Sequence, residues 1–385
     1  MLHAFGASGP GGSTLYASLI MDPGGNLYGT TEFGGSRNGG VVFRLSRGTN
    51  GSWNETVLYS FKGGAQDGAT PHDSVLLDSG GNLYGTTVSG GGGPCPGGCG
   101  VVFQLTPNAT GPWTETVLHR FDGTDGATPF SNVILNAAGN ILGSTSGGGA
   151  NGRGTVYKLS PGAAGGWTET VLYSFKGAPD GATPYAGLIS DAAGNLYRTT
   201  YRGGTTNRGT VYKLSPNGDG TFSETVLHSF RGSTDGEDLF EGLVMDRAGN
   251  LYGTAETGGS ANCGVVFRLS PSGAGGWAMT ILHNFLGLTA QDGANPNALI
   301  FDVYGNLYGT TVGGGTYNPG TIFKLSPQPS GEWLETILYN FTGGNDGAYP
   351  SAGLIMDGAG RLYGTTLWGG PAGDTTGGVV FGYLP

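Results

Sequence analysis

Asp73 and Glu241 are the first residues of this sequence whose chemistry asks for an explanation. They occupy one position of a recurring pattern that holds Ala or Ser in its five other copies. If the fold brings them together, one carboxyl can serve as acid and the other as base or nucleophile, the arrangement glycoside hydrolysis uses. Held apart, they are solvated loop charges. The preceding position is aromatic in five copies, as Tyr16, His72, Phe130, Tyr185 and Phe240, and polar as Asn297 and Ser351 in two. Such rings either pack strands together or offer flat faces to the C–H surface of a sugar, and His72 or Tyr185 is suited to exchange protons. A third feature is cationic. Arg198, Tyr201, Arg202 and Arg208 crowd one copy and Arg153 the copy before it, a patch suited to a carboxylate or sulfate because the guanidinium fork binds planar anions. Trp368 falls in the same class of loop and is a further stacking candidate.

These positions acquire meaning from the repeat that carries them. Gly-Asn-Leu-Tyr-Gly-Thr-Thr starts at Gly25, Gly81, Gly194 (with Arg198 in place of the second Gly) and Gly305, with looser copies at Gly139, Gly249 and Gly360. The second residues, at 26, 82, 140, 195, 250, 306 and 361, are spaced by 56, 58, 55, 55, 56 and 55. Each copy contains four runs rich in β-branched and aromatic residues, bounded by Gly, Asp, Asn or Pro, and none has a sustained helical period. Four short strands per repeat of this length predict a blade, and seven blades predict an all-β, seven-bladed β-propeller over residues 1–385 as one domain, with four antiparallel strands per blade. The last copy holds three strands, ending in Val379–Leu384, and Leu2-His3-Ala4-Phe5 matches the fourth strand of other copies, such as Leu118-His119-Arg120-Phe121. The N-terminal strand is therefore expected to complete blade 7 and close the ring.

The repeat also sorts out recurrent residues. His3, His119, His228 and His283 share one outer-strand slot with Tyr59, Tyr173 and Tyr339, and Trp53, Trp113, Trp167, Trp277 and Trp333 share another. A slot filled the same way in every blade is read as structural. The Asp-Gly pairs at Asp67, Asp125, Asp180, Asp235, Asp292 and Asp346 are read as turn formers, since no loop gathers the carboxylates a calcium ion needs. In the Asp-x-x-Gly-Asn hairpins both Gly and Asn are expected to accept positive φ.

Composition narrows the partners. With 81 Gly among 385 residues, no Gly-X-Y period and 37 % hydrophobic residues, the chain is neither collagen-like nor disordered. A net charge of −10 argues against nucleic acid, and no apolar run is long enough to span a membrane. No phosphate-binding loop, nucleophile elbow or zinc-protease motif is present, so no cofactor or metal is expected. Cys95 and Cys99, in one short loop, are expected to form a local disulfide, leaving Cys263 free. Few lysines and a surface rich in Ser, Thr, Gly and Asn favour an extracellular or periplasmic protein, its signal peptide already removed, acting as a monomer.

The runs Gly-Val-Val-Phe-Arg-Leu-Ser (Gly40–Ser46) and Glu-Thr-Val-Leu-Tyr-Ser-Phe (Glu55–Phe61), together with Gly-Asn-Leu-Tyr-Gly-Thr-Thr, resemble the bacterial GloVer tandem repeat along essentially the whole chain. The resemblance implies an exported bacterial protein, often with a separate surface anchor, and implies little about activity. The expectation is a binding module that recognises a polysaccharide or other cell-surface glycan or partner through its variable loop face. The alternatives are a uronate-polysaccharide lyase or glycoside hydrolase at the channel mouth, and a purely structural surface protein.

Overall fold

The computed structural model describes residues 1–6, 10–108, 112–162, 165–371 and 377–385. Among the described residues seven antiparallel blade sheets succeed one another along the chain, each with four strands in the order innermost to outermost. Two small two-stranded sheets join Gly68–Ala69 to Ser89–Gly90 and Gly181–Ala182 to Arg202–Gly203. Blade 4 shows the plan, with Ile189–Ser190, Leu196–Thr200, Thr210–Pro216 and Phe222–Ser229. Blade 6 gains a fifth strand, Gly293–Pro296. In blade 7 the outer strand is His3–Ala4, paired His3 with Val380 and Ala4 with Val379. The ring therefore closes as the repeat predicts. No helix among the described residues is long and apolar enough to cross a membrane.

The core lies in the seams between blades. Along a strand, side chains alternate between the two faces, so each third strand serves two seams at once. Phe43 packs with Leu15 and Leu19 and with Tyr363 and Val380 of blade 7, whereas Val42 packs with Phe61 and Phe103 toward blade 2. The recurrent tryptophans span these seams. Trp53, Trp277 and Trp333 meet Tyr363, Tyr197 and Tyr252 of the preceding blades with ring centroids 6.0–6.4 Å apart.

The hairpin between the first two strands is locked by its aspartate. Asp22 accepts bonds from the Asn26 backbone N–H (2.9 Å), the Asn26 side-chain amide (2.8 Å) and the Tyr28 hydroxyl (3.0 Å). Gly25 alone takes the left-handed backbone there, at φ +79°. The asparagine thus recurs for its amide and not, as expected from the sequence, for positive φ.

The Asp-Gly aspartates also do more than turn the chain. Each accepts from the outer-strand slot, as in Tyr59–Asp67 (3.0 Å), His119–Asp125 (2.8 Å), Tyr173–Asp180 (3.0 Å) and His228–Asp235 (2.9 Å). The recurrent histidines belong to this outer girdle. At the seam of blades 5 and 6 the ligand atoms of His283, Asp292 and Glu335 lie within 4.8 Å of one another, a geometry that can hold a cation, although the same slot is bonded to aspartate in blade after blade.

One further contact fixes the inner ring. A threonine in the second strand donates to a channel-facing carbonyl of the next blade, from Thr30 to Asp73 (3.1 Å), Thr86 to Ser131 (2.8 Å), Thr199 to Glu241 (2.9 Å) and Thr310 to Ala352 (3.0 Å). Thr365 of blade 7 donates to Ala17 of blade 1 (3.1 Å), carrying the latch across the closure.

Candidate functional site

The positions that the repeat leaves variable converge on the ring axis. A cavity of about 450 Å³ takes a wall residue from every blade, including Tyr16, His72, Phe130, Tyr185, Phe240 and Ser351. Asp73 and Glu241 line it from blades 2 and 5. A second recess of about 340 Å³ shares Tyr16, His72, Phe240 and Glu241 with the first and extends toward Glu256, Asn297 and Leu367.

The five rings form a continuous arc. Tyr16 stacks on His72 at 4.7 Å, His72 meets Phe130 edge-on at 4.9 Å, and Phe130 meets Tyr185 at 5.0 Å. Tyr185 lies 5.5 Å from Phe240, and Tyr201 reaches both at 5.4 and 4.6 Å. The two ends stay accessible, Tyr16 at 36 % and Phe240 at 39 % of full exposure. The arc is open at blades 6 and 7. The blade-6 entry loop is one residue shorter, so Asn297 does not fall in the aromatic slot as the repeat alignment suggests but in the slot of Ser131 and Asp73. It is buried there with its amide on Thr310 Oγ1 (2.9 Å), as Ser131 faces Ser144, and on the Pro350 carbonyl (2.7 Å).

Each carboxylate is held differently. Asp73 accepts from the Ser74 backbone N–H (2.6 Å) and the Asn132 backbone N–H of blade 3 (2.8 Å), which fixes both oxygens. Gly187 makes room for Asn132, since a Cβ at 187 would lie 2.2 Å from Asn132 Oδ1. Glu241 opens onto the cavity but is otherwise walled in by protein. Desolvation, then the charges of Asp73 and Glu256, push it up to about 8. Burial pulls His72 below the usual imidazole range against the opposing pull of Asp73, so it stays neutral at pH 7. Burial raises Glu256, with Asp238 adding to the effect.

The arginines do not form the single patch their spacing suggests. Arg198 is fully buried at the seam of blades 3 and 4, where its Nε, Nη1 and Nη2 and the hydroxyls of Tyr157 and Tyr212 have no hydrogen-bond partner. Its burial lowers it to about 10, so it keeps its charge at neutral pH. The other six blades have Gly at this place, and at Gly29 or Gly253 an added Cβ would lie 2.7 Å from the facing phenylalanine ring. Arg202 lies over the Tyr201 ring (3.9 Å) and pairs with Asp238 (3.4 Å), and Arg208 pairs with Glu237. Both are thereby tied to the blade-5 entry loop. Arg153 is exposed on blade 3, apart from them. Trp368 stands half-exposed against Tyr349 (5.1 Å) and is not part of either cavity wall, because its neighbour Leu367 is the residue that faces the recess.

Two site residues escape a reading based on residue type alone. Asn132 sits where the neighbouring copies have Ser or Gly, and Glu256 sits in a slot that varies from blade to blade, with Glu32 in blade 1 and Val88, Val312 and Leu367 elsewhere. The acidic residues at that variable slot were the signal available for Glu256. Cys95 and Cys99 are disulfide-bonded, and Cys263 is a free, partly buried thiol.

A closed seven-bladed ring with an acidic, aromatic cavity on its axis makes this a tandem-repeat β-propeller. The Gloeobacter/Verrucomicrobia repeat model matches residues 1–162, 92–291 and 274–385, and the chain belongs to that family. Among solved structures, it is similar to the X-ray structure of a hypothetical selenium-binding protein from Sulfolobus tokodaii. The TM-score is 0.53 at 12 % identity, over 81 % of this chain and 74 % of that one, a likeness of fold alone. No curated protein matches the chain.

Proposed function

We propose that the chain is an exported binding module that takes a unit of a glycan into its central cavity. The observation that carries this is the unbroken arc of five rings from five consecutive blades around an axial cavity of about 450 Å³, well inside the range of small-molecule sites. Flat rings beside a few polar groups suit a ligand with apolar C–H faces and hydroxyl edges. The Cys95–Cys99 disulfide fits an oxidising compartment. Glycan-array binding followed by titration calorimetry tests the reading. Tyr185→Ala and Phe240→Ala should each weaken binding by roughly tenfold, ~1.4 kcal/mol. Phe240 is open enough that its loss should leave the unfolding midpoint in place. Full-strength binding in both variants would exclude the arc as the contact surface.

A specific observation favours a second reading, hydrolysis at the same place. Glu241 keeps its proton near neutral pH in the cavity that Asp73 also lines, and a protonated carboxyl facing a second one is the pairing from which acid and base roles are built. Reducing ends released from a bound glycan, and lost in Glu241→Gln and Asp73→Asn, would establish it; binding without release would leave the module reading alone. The lyase reading lacks such support, since Arg202 is already paired with Asp238.

A further inference from the structure

We propose that the axial cavity selects a cationic ligand, an amino sugar whose ammonium group sits between the Glu241 carboxyl and the aromatic arc. This rests on the glycan reading and adds the charge of the sugar. The charged and titratable groups around the cavity make the case. Its walls carry Asp73 and Glu241, and the adjoining recess adds Asp238 and Glu256. Glu32 acts on Tyr16 at the rim, raising its hydroxyl after burial does. The neighbouring cations compensate only in part. Arg202 offsets Asp238 and lowers Tyr185 against its burial, and Arg198 acts on Asp73 from the seam. Glu241 and Glu256 are left without a basic partner among the described residues. Arg202 is held by Asp238 and the Tyr201 ring, Arg198 is sealed behind the wall, and His72 is kept neutral by burial. The remaining titratable wall residue, Tyr185, is a neutral phenol pushed further up by burial.

The rings point the same way. An aromatic face carries negative charge density, so Tyr16, Phe130, Tyr185 and Phe240 attract an ammonium and gain nothing from a carboxylate. Burial first, and then repulsion from the Asp73 and Glu256 charges, keeps the proton on Glu241 while no cation occupies the cavity. An incoming ammonium reverses that balance, and Glu241 gives up its proton as the ligand arrives. At pH 7 a group titrating near 8 is about nine-tenths protonated. Binding of a permanent cation such as tetramethylammonium should therefore release close to one proton at pH 7 and almost none at pH 9.5. An amino sugar, whose amine titrates near the α-amino range of about 8, is compared at pH 7, where it is mostly an ammonium.

The experiment is titration calorimetry of the intact chain in two buffers of different ionisation enthalpy. The probes are a glucosamine trimer, its N-acetylated counterpart, a galacturonate trimer and tetramethylammonium. At pH 7 the free-amine trimer should bind at least tenfold more tightly than the acetylated one, with a net proton release smaller than that of tetramethylammonium because part of its amine is protonated on binding. It should lose both properties in Glu241→Gln. Asp73→Asn serves as a second variant and should reduce the proton release by letting Glu241 ionise beforehand. Equal binding of the free and acetylated trimers, untouched by Glu241→Gln, would overturn the charge selection and leave the glycan reading standing. Binding of tetramethylammonium alone, with no sugar bound, would keep the charge selection and overturn the glycan reading. Preferential binding of the galacturonate trimer would overturn the inference, and the failure of all four probes would overturn both readings.

Discussion

Replacing Phe5 by alanine tests the ring closure directly, because one short segment completes both a sheet and a seam. His3–Ala4 forms the outer strand of blade 7, with the Leu2 N–H donating to Val380 O (2.8 Å) and the Phe5 N–H to Gly378 O (2.9 Å). Phe5 then turns into the seam with blade 1, where it is 4 % exposed and its ring lies 4.8 Å from Phe43. An internal counterpart exists in Phe61, fully buried and 5.0 Å from Phe103. Truncating a buried phenylalanine costs about 3–5 kcal/mol through lost burial and the cavity left behind. If the N-terminal strand is as integral as a strand inside the chain, Phe5→Ala and Phe61→Ala should cost the same within about 1 kcal/mol. With a urea slope on the order of 3 kcal/mol per M or more for a chain of this size, each should lower the midpoint by up to about 1.5 M. Deleting residues 1–5 should cost at least as much, since it also bares the Val379–Val380 edge. Urea unfolding followed by tryptophan fluorescence reads all three variants. A midpoint unmoved by Phe5→Ala, with Phe61→Ala strongly destabilised, would refute the closure argument.

Further outcomes follow from the outer girdle and the buried arginine, beside the binding tests already described. Burial pushes Glu115, Glu169, Glu224 and Glu335 each up to about 7, helped by the girdle aspartates Asp67, Asp125, Asp180 and Asp292, while His119 and His283 oppose it at Glu169 and Glu335. A carboxyl raised in the folded state binds more protons folded than unfolded, so this contribution to stability falls as pH rises from about 4.5 through 7. Thermal unfolding should show a lower midpoint at pH 8 than at pH 5, and Gln at all four positions should flatten that difference; an unchanged slope would exclude the girdle as its source. Arg198→Met keeps most of the volume while removing a buried charge, and should be neutral or raise stability by about 1–4 kcal/mol. A loss of several kcal/mol would instead mean that the guanidinium has a strong partner inside the seam.

What was legible in the sequence was whatever the seven copies share. The spacing of Gly-Asn-Leu-Tyr-Gly-Thr-Thr implied the blades, and Leu2–Phe5 implied the closure, because strand pairing and seam packing impose the same demands on every copy. The aromatic position before the innermost strand was legible for the same reason in blades 1 to 5, where one register points to one axis. In blade 6 the one-residue deletion shifts the register, and the repeat alignment misplaces Asn297. The fate of the arginines was not. Arg198 and Arg202 are four residues apart, yet one faces the seam and the other the loop, and a charge count along the chain cannot tell a buried guanidinium from one paired to Asp238 of the next blade. Trp368 was unreadable for a similar reason, since two adjacent loop residues, Leu367 and Trp368, point to different surroundings.

The inner-ring latch explains why fold and function information separate so cleanly at Asp73 and Glu241. Where the latch forms, the group that a blade takes from its successor is a backbone carbonyl, received by Thr30 at Asp73 and by Thr199 at Glu241 as it is by Thr310 at Ala352. The equivalent Thr254 of blade 5 has no such partner among the described residues. A carbonyl is supplied by any residue, so the latch itself does not dictate the side chain, although Ala17, Ser131, Ala186 and Ala352 are buried there. Substituting a carboxylate for Ala or Ser therefore leaves the latch intact and changes what the cavity presents, and at Asp73 it adds a second tie to the next blade through the Asn132 backbone. Where the pattern breaks inside a seam, as at Arg198, the change falls on the packing of the fold itself; where it breaks at a latch carbonyl, it falls on the ligand surface. The positions most informative about function in this ring are thus those where the latch is made by the backbone.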